Sequence, residues 1–304
     1  MSDEETDPPA DPARLTDPAS PIEPASPIEP ASLKAIVRAD WTARSAAWDR
    51  WSDTIAQLAQ RMNAPLLDAA DLAPGQNVLD LASGIGEPAL DIARRVGETG
   101  VVTATDMVPE MLAGARRRAA EAKLANLRFE IVDMEALPFA DAAFDRVLCR
   151  FGIMFSPSVD VALAEARRVL APGGRAAYMV WGPRADNTIF EVVQTVGADF
   201  VAPPAPTGGL TQFRFGAAGS LGALMRAAGF AEVEELEFRF APTPPAGSRF
   251  WAPNVEMSFG AALETLSPAR RAALDAAIDE AFETYLDGDV YRLTAHARVA
   301  TGVA

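Results

Sequence analysis

Apolar residues follow a helical period early in the chain and a strand-and-helix alternation after it. Over residues 33–62, Val37, Trp41, Trp48, Trp51, Ile55, Leu58 and Met62 stand three, four or seven apart, which predicts one amphipathic helix. Arg44 falls inside that stripe, between Trp41 and Trp48. Two readings of it are open: a core-facing helix whose arginine snorkels to water, or an arginine meeting an anionic ligand group. Beyond residue 76, short apolar runs predict strands at 77–83, 101–107, 127–134, 144–150 and 175–181. Helical patterns intervene at 87–96, at 109–123 with Pro109 at its start, and at 157–170, closed by "APGG". This alternation implies a parallel sheet with helices on both faces. Ligands of such sheets sit beyond the carboxyl ends of the strands, at the point where strand order reverses. The loops after Leu81, Thr105, Asp133 and Arg150 therefore carry the candidate chemistry.

The pattern changes again towards the C-terminus. A helix at 218–228 and a strand at 233–240 precede a helical stretch at 261–286 that ends in "DGD", and 290–302 reads as a final strand. Two strands separated by a helical excursion form an elaborated hairpin at the sheet edge. The excursion, about 249–286, either caps the ligand cleft or packs on the outside of the sheet.

Residues 1–32 have no such pattern. They hold eight prolines and the hexapeptide "ASPIEP" twice, at 19–24 and 25–30. Proline removes backbone donors and acids repel one another, so a disordered or extended tail is expected. The chain has 304 residues, 49% of them apolar, enough for one large domain or two small ones. Its net charge of −15 divides into −7 on residues 1–30 and −8 on the rest. An acidic body repels a phosphate backbone, so nucleic acid is not an expected substrate. One cysteine, Cys149, and one histidine, His296, leave no internal disulfide and no ordinary zinc site. No apolar run is long enough to span a membrane, and the N-terminus lacks a basic region followed by an apolar core. A cytoplasmic protein, monomeric or homodimeric, acting on a small molecule is the expectation.

The sharpest chemical signal is "VLDLASGIGEP", residues 78–88. Gly84, Gly86 and Ala89 fit the loose dinucleotide pattern G-x-G-x-x-G/A, and Asp106 stands 20 residues past Gly86, where an acid would take ribose hydroxyls. An NAD(P)-dependent oxidoreductase is thus one candidate. Asp80 and Glu87 argue against it. A carboxylate at the strand end repels a pyrophosphate and suits a cationic ligand, and Glu87 competes for the helix N-terminus that a phosphate would use. The loop prefers a nucleoside without phosphates.

"VLDLASGIGEP" resembles the first motif of the class I S-adenosylmethionine-dependent methyltransferases. "VVTATDMVPEML" (101–112), "EALPFADAAFD" (135–145) and "RVLAPGG" (168–174) resemble, in order, further motifs of their ubiquinone/menaquinone-biosynthesis-like branch (methyltransferase domain 11 type). The resemblance covers roughly residues 75–182. It implies a doubly wound, seven-stranded Rossmann-like sheet with its last strand antiparallel. Its domain would run over 73–304, after a helical segment at 33–72.

It further implies S-adenosyl-L-methionine as cofactor. Asp80, Ala82, Gly84 and Gly86 would surround its methionine part, Asp106 its ribose, and Met107, Asp133 and Met134 its adenine. Asp133 can equally be a local N-cap, and Met107 a core residue. Cys149 or Arg150 would flank the methionine end, and Arg44 is carried as a further cofactor candidate. In-line methyl transfer to a small, partly apolar acceptor at O, N, S or C is the expected reaction. Phe151, Met154, Phe155, Trp181, Phe190 and Trp251 are candidates for an apolar acceptor cleft, with ordinary core packing as their alternative. "FGIMF" (151–155) stands where quinone methyltransferases carry FG-[IL]-RN, so Met154 and Phe155 replace a polar pair. His296 alternates with Arg292, Thr294 and Arg298 on what reads as a polar, solvent-facing strand face, and no general base is evident; Glu191 or a tyrosine are substitutes. A non-catalytic cofactor-binding protein is the remaining alternative.

Overall fold

The computed structural model describes residues 29–201 and 210–304, with the side chains of residues 58, 59 and 261 left aside. The "ASPIEP" repeats thus lie almost wholly outside the described residues. Five parallel strands form first: β1 (Asn77–Leu81), β2 (Val101–Asp106), β3 (Leu127–Ile131), β4 (Phe144–Arg150) and β5 (Leu170–Trp181). Later come β6 (Ala231–Phe240) and β7 (Ala295–Val303). The sheet order is β3-β2-β1-β4-β5-β7-β6, and β7 runs antiparallel to both of its neighbours. The final strand therefore inserts between β5 and β6. Order reverses at β1, so the space beyond the ends of β1 and β4 is the switch point.

Each face of the sheet is sealed by helices because β1 and β4 alternate apolar residues to both sides. Leu79, Leu81, Val147 and Cys149 enter one core with α5 (Val159–Val169) and α7 (Ser220–Ala227). Val78 and Leu148 enter the other, with α3 (Ala89–Val96) and Leu66, Leu67 and Ala70 at the end of α2 (Ser52–Ala69). Fully burying leucines of this kind is worth about 1.5–3 kcal/mol each, which clamps α2 to the sheet. α4 (Pro109–Glu121) follows β2, with its buried Met111, Leu112 and Ala115 turned inward.

The N-terminal stripe does not form one helix. α1 (Pro30–Arg50) ends at Trp51, whose φ of −94° and ψ of 11° leave helical geometry, and α2 starts at Ser52. The Trp51 indole donates to Glu256 at 3.0 Å. The spacing of apolar residues continues through the break, so periodicity cannot see it. The two halves serve different partners: α2 lies on the sheet, whereas Leu33 and Val37 of α1 turn towards Leu210 and Phe155.

The C-terminal excursion forms α8 (Ala252–Phe259) and α9 (Pro268–Phe282). With α6 (Thr188–Gly197) they enclose a separate apolar cluster of Val193, Trp251, Val255, Leu274, Ile278 and Phe282. No helix among the described residues is long and apolar enough to cross a membrane.

Candidate functional site

The loop after β1 is shaped by local hydrogen bonds. The Ser83 N–H donates to the Thr105 carbonyl (2.8 Å), and the Ser83 hydroxyl donates to the Asp80 carbonyl (2.9 Å). Ala82 and Gly84 both take φ of 53°, and Gly86 takes 99°. A Cβ on Gly84 would meet nothing within 4 Å, so this glycine supplies conformation rather than clearance. Gly84 in turn donates its N–H to Asp106 Oδ2 (2.9 Å), while Val108 N–H donates to Asp106 Oδ1 (2.9 Å). Asp106 is thereby fixed at the end of β2, with lone pairs left on both oxygens. Burial raises its carboxyl pKa, against the pull of the Val108, Gly84 and Met107 amides.

A cavity opens above this loop, enclosing about 1020 Å³ free of protein atoms, its solvent mouth included. Ala82–Ile85, Arg150–Gly152 and Phe155–Pro157 form its floor. Asp106–Val108, Met111 and Val132–Glu135 form one wall, and Lys34, Val37, Trp41 and Trp48 of α1 form the roof. Phe155 meets Trp41 edge-on, with centroids 5.1 Å apart at 76°. The Trp48 indole N–H is buried without a hydrogen-bond partner. Lys34 closes the wall to the roof: its Nζ is 2.5 Å from Asp133 Oδ2 and 2.8 Å from Glu135 Oε2. Burial works to raise the Glu135 carboxyl, but hydrogen bonds from Lys34, Ser156 and the Ser158 amide outweigh it and hold it below the usual range.

A second charged group lies under the floor, on the α2–α3 side of the sheet. Asp80 is paired in register with Leu148, so Arg150, two residues on, points to the same face. Neither carboxylate oxygen of Asp80 has a hydrogen-bond partner, and neither has Arg150 Nε. Burial pushes the Asp80 carboxyl up to about 7, against the opposing pull of Ser83 and Arg150. Burial likewise lowers the Arg150 pKa, while Glu87, Asp80 and Asp91 raise it. Asn63 of α2 connects the group. Its Nδ2 donates to Glu87 Oε2 (2.8 Å) and Asp91 Oδ2 (2.7 Å), and its Oδ1 accepts from Arg150 Nη1 (3.0 Å). Glu87 is neutralised by Arg118 at 2.8 Å.

Of the residues singled out from sequence, Ala82, Gly84, Asp106, Met107, Asp133, Met134, Phe151 and Phe155 line the cavity. Asp80 is fully buried just beneath. Asp133 also caps a turn locally, accepting the Glu135 N–H at 2.9 Å. Apart from Arg150, the remaining candidates do not line the cavity. Gly86 does not line the cavity; a Cβ there would stand 2.3 Å from Leu90 Cδ1 and 3.4 Å from Ala115 Cβ, so it lets α3 and α4 close on the loop. Arg44 is engaged elsewhere, paired with Asp40 at 2.9 Å and donating to the Met257 carbonyl at 3.3 Å. Cys149 faces the opposite core, where burial pushes its thiol up to about 12; Arg150 alone of that pair reaches the cavity. Met154 is fully buried in the same core.

Trp181 stacks behind Phe151 at 4.1 Å without lining the cavity, and Phe190 packs edge-on against Trp181. Trp251 belongs to the excursion's own cluster, its indole donating to Asp279 at 2.8 Å. No described residue of 249–286 lines the cavity; α1 roofs it, and Met257 packs in one apolar cluster with Trp41, Trp48 and Trp51. His296 is not solvent-facing: β7 lies between β5 and β6, and the ring is buried with Nδ1 2.8 Å from Asp186 and Nε2 2.9 Å from Glu237. Glu191 pairs with Arg184 at 2.7 Å, away from the cavity.

Sequence reasoning missed Lys34, Val37 and Trp48 of the roof and Glu135 of the wall. The tryptophan stripe was visible, but its spacing equally describes a core-facing helix.

A model of the methyltransferase domain family matches residues 78–174. The chain is 40% identical over 181 residues to a demethylmenaquinone methyltransferase of Thermus thermophilus, covering 55% of this chain and 80% of that one. It is 35% identical over 192 residues to an uncharacterized protein of Mycobacterium tuberculosis, covering 60% and 68%. A ubiquinone/menaquinone biosynthesis C-methyltransferase of Bordetella avium is 39% identical over 132 residues, covering 43% and 51%. Among solved structures, the YcgJ protein of Bacillus subtilis shares the fold, with a TM-score of 0.54 at 20% identity over 80% of this chain and 98% of that one. A phosphoethanolamine N-methyltransferase of Haemonchus contortus, solved with S-adenosylhomocysteine, shares it with a TM-score of 0.51 at 20% identity, over 80% and 52%.

Proposed function

Because the chain belongs to the class I S-adenosylmethionine-dependent methyltransferases, in the branch of the ubiquinone and menaquinone C-methyltransferases, we propose that its cavity joins the cofactor to a small, partly apolar acceptor held under α1. The protein is an enzyme, and S-adenosylmethionine is its cofactor.

The residues present fit that cofactor. Asp106 offers free lone pairs at the end of β2 for the ribose hydroxyls. Met107, Val108, Val132 and Met134 supply an apolar slot for the adenine ring. Asp80 and Arg150, both buried with unpartnered polar atoms, are matched in charge to an ammonium and a carboxylate on one amino-acid end. When bound, the cofactor supplies an electrophilic methyl group on a sulfonium. The chain contributes position and dryness. Phe151, Phe155, Trp41 and Val37 leave an apolar chamber that excludes water and holds the acceptor in line, an arrangement worth about 7–11 kcal/mol in good cases.

The observation that carries this reading is a single cavity lined by both Arg150, whose Nε is buried without a partner, and the aromatic chamber, with the unpartnered Asp80 carboxyl buried beneath it. No histidine, tyrosine or cysteine lines it among the described residues. Glu135 is held by Lys34, Ser156 and Ser158, so it is a weak proton acceptor. The acceptor therefore arrives already nucleophilic, as an amine, a thiolate or an electron-rich carbon. A quinol ring carbon is one such acceptor, favoured by the names of the Thermus and Bordetella relatives. Against it, Met154 and Phe155 stand where quinone enzymes carry a polar pair, and Phe155 packs on Trp41.

Single-turnover transfer of a labelled methyl group from the cofactor across a fractionated metabolite extract tests the proposal. Label in a small, partly apolar product is the expected result. Cofactor binding with no labelled product in any fraction would refute it.

A further inference from the structure

We propose that Asn63 of α2 is a positioning residue, holding the Arg150 guanidinium ready for the carboxylate of the cofactor's amino-acid end; this rests on the cofactor reading above. Arg150 is buried and surrounded by acids. Glu87, Asp80 and Asp91 all act on it, and any of them in contact would spend its charge in a salt bridge. The structure shows no such bridge. Glu87 is taken by Arg118 at 2.8 Å and by Asn63 Nδ2 at 2.8 Å, and Asp91 by Arg94 at 2.6 Å and by the same Asn63 nitrogen at 2.7 Å.

What Arg150 receives from α2 is a neutral carbonyl oxygen, Asn63 Oδ1, at 3.0 Å. An amide oxygen fixes the direction of a guanidinium without cancelling its charge. The acids on the far side fix the amide: both are acceptors, so the nitrogen faces them and the oxygen must face Arg150. Arg150 Nε is left buried with no partner, and Arg150 is one of the residues that line the cavity. That is an expensive arrangement unless a ligand oxygen completes it. Asn63 is itself only 2% exposed. Leu66 and Leu67, one turn on, hold its helix to the sheet, so the support is rigid.

The test is calorimetric and needs no turnover. S-adenosylhomocysteine and 5′-methylthioadenosine, which keeps the nucleoside and sulfur but lacks the amino-acid group, are titrated into the wild-type chain, Asn63→Leu, Asn63→Ala and Arg150→Met. Asn63→Leu should raise the Kd for S-adenosylhomocysteine about tenfold and leave that for methylthioadenosine within about twofold. Combined with Arg150→Met it should add almost nothing, since both act through one contact. Asn63→Ala, which suits a helix, should repeat the pattern if the leucine variant folds poorly by circular dichroism. Equal weakening of both ligands in a folded variant, or no weakening of S-adenosylhomocysteine, would overturn the inference and leave the cofactor reading intact. A wild-type chain that binds neither ligand would overturn both.

Discussion

The floor and the roof of the cavity are built from different kinds of sequence. The floor and wall come from strand ends and the loops after them, where backbone turns, a carboxylate at each of two strand ends and an arginine occur at fixed spacing. The roof is one face of α1, whose Val37, Trp41 and Trp48 are spaced like any buried stripe. The floor is held by backbone: Gly84 and Val108 amides bind Asp106, and the Thr105 carbonyl binds Ser83. The roof is held by side chains, through Lys34 to Asp133 and Glu135 and through Trp41 on Phe155. On the proposed reading, cofactor binding belongs to the backbone-held half, and choice of acceptor to the half that side-chain substitution can reshape.

Substitutions that act on one half and spare the other test that division. The largest effect is expected in the half made of floor and wall. Asp106→Ala removes a charged acceptor from two ligand hydroxyls and should weaken both S-adenosylmethionine and S-adenosylhomocysteine by about 100-fold. Equal affinity by calorimetry would break the division at its strongest point.

Asp80→Asn should act through pH. The folded, cofactor-free protein holds the Asp80 proton up to about pH 7, whereas an unfolded carboxyl loses it near 4. Stability of the free protein therefore falls as pH rises across that window. The variant should escape the fall and be more stable than wild type at pH 8 by an amount on the order of 4 kcal/mol, with little difference at pH 4. Denaturant melts at several pH values check this. A cationic ligand should also release close to one proton from wild type near pH 6, and none from the variant.

At the roof, Trp41→Ala should raise the acceptor KM about tenfold with cofactor Kd within twofold, since lost aromatic contact costs on the order of 1–2 kcal/mol. A parallel loss of cofactor affinity would show that roof and floor are not separable. The smallest effect on turnover is expected from His296→Ala. The ring is buried between Asp186 and Glu237, outside the cavity, and its hydrogen bond is the main cause holding the Asp186 carboxyl below its usual range. Thermal stability should drop by several degrees while kcat stays within about twofold. A loss of turnover in protein that remains folded would restore the histidine as a functional group.

Sequence reading reached far into this molecule where chemistry depends on backbone. The β1 loop, the acid closing β2, the strand alternation and the antiparallel edge pair were all legible, because glycine, proline and alternating apolar residues act locally. It failed where a residue's role depends on what stands opposite. Gly86 and Gly84 look alike in the motif, yet one closes helix packing and the other shapes the turn. Cys149 and Arg150 are neighbours, and only strand alternation, read with the true start of β4, tells which faces the cavity. Arg44 could be assigned only once Asp40 and Met257 were seen to occupy it. Trp251 and His296 are functional types by composition, and each is held by a partner no spacing could name.

The sequence by itself determined the parallel α/β layering and the position of the switch point, since each rests on contacts within a strand, a turn or one strand–helix unit, and its motifs carried the resemblance that implied the methyl donor. Tertiary structure alone decided that α1 roofs the cavity, and that Asn63 stands between Arg150 and two of its acids, Glu87 and Asp91. Those arrangements are made by side chains far apart in the chain, whose meeting follows from how helices pack on the two faces of the sheet.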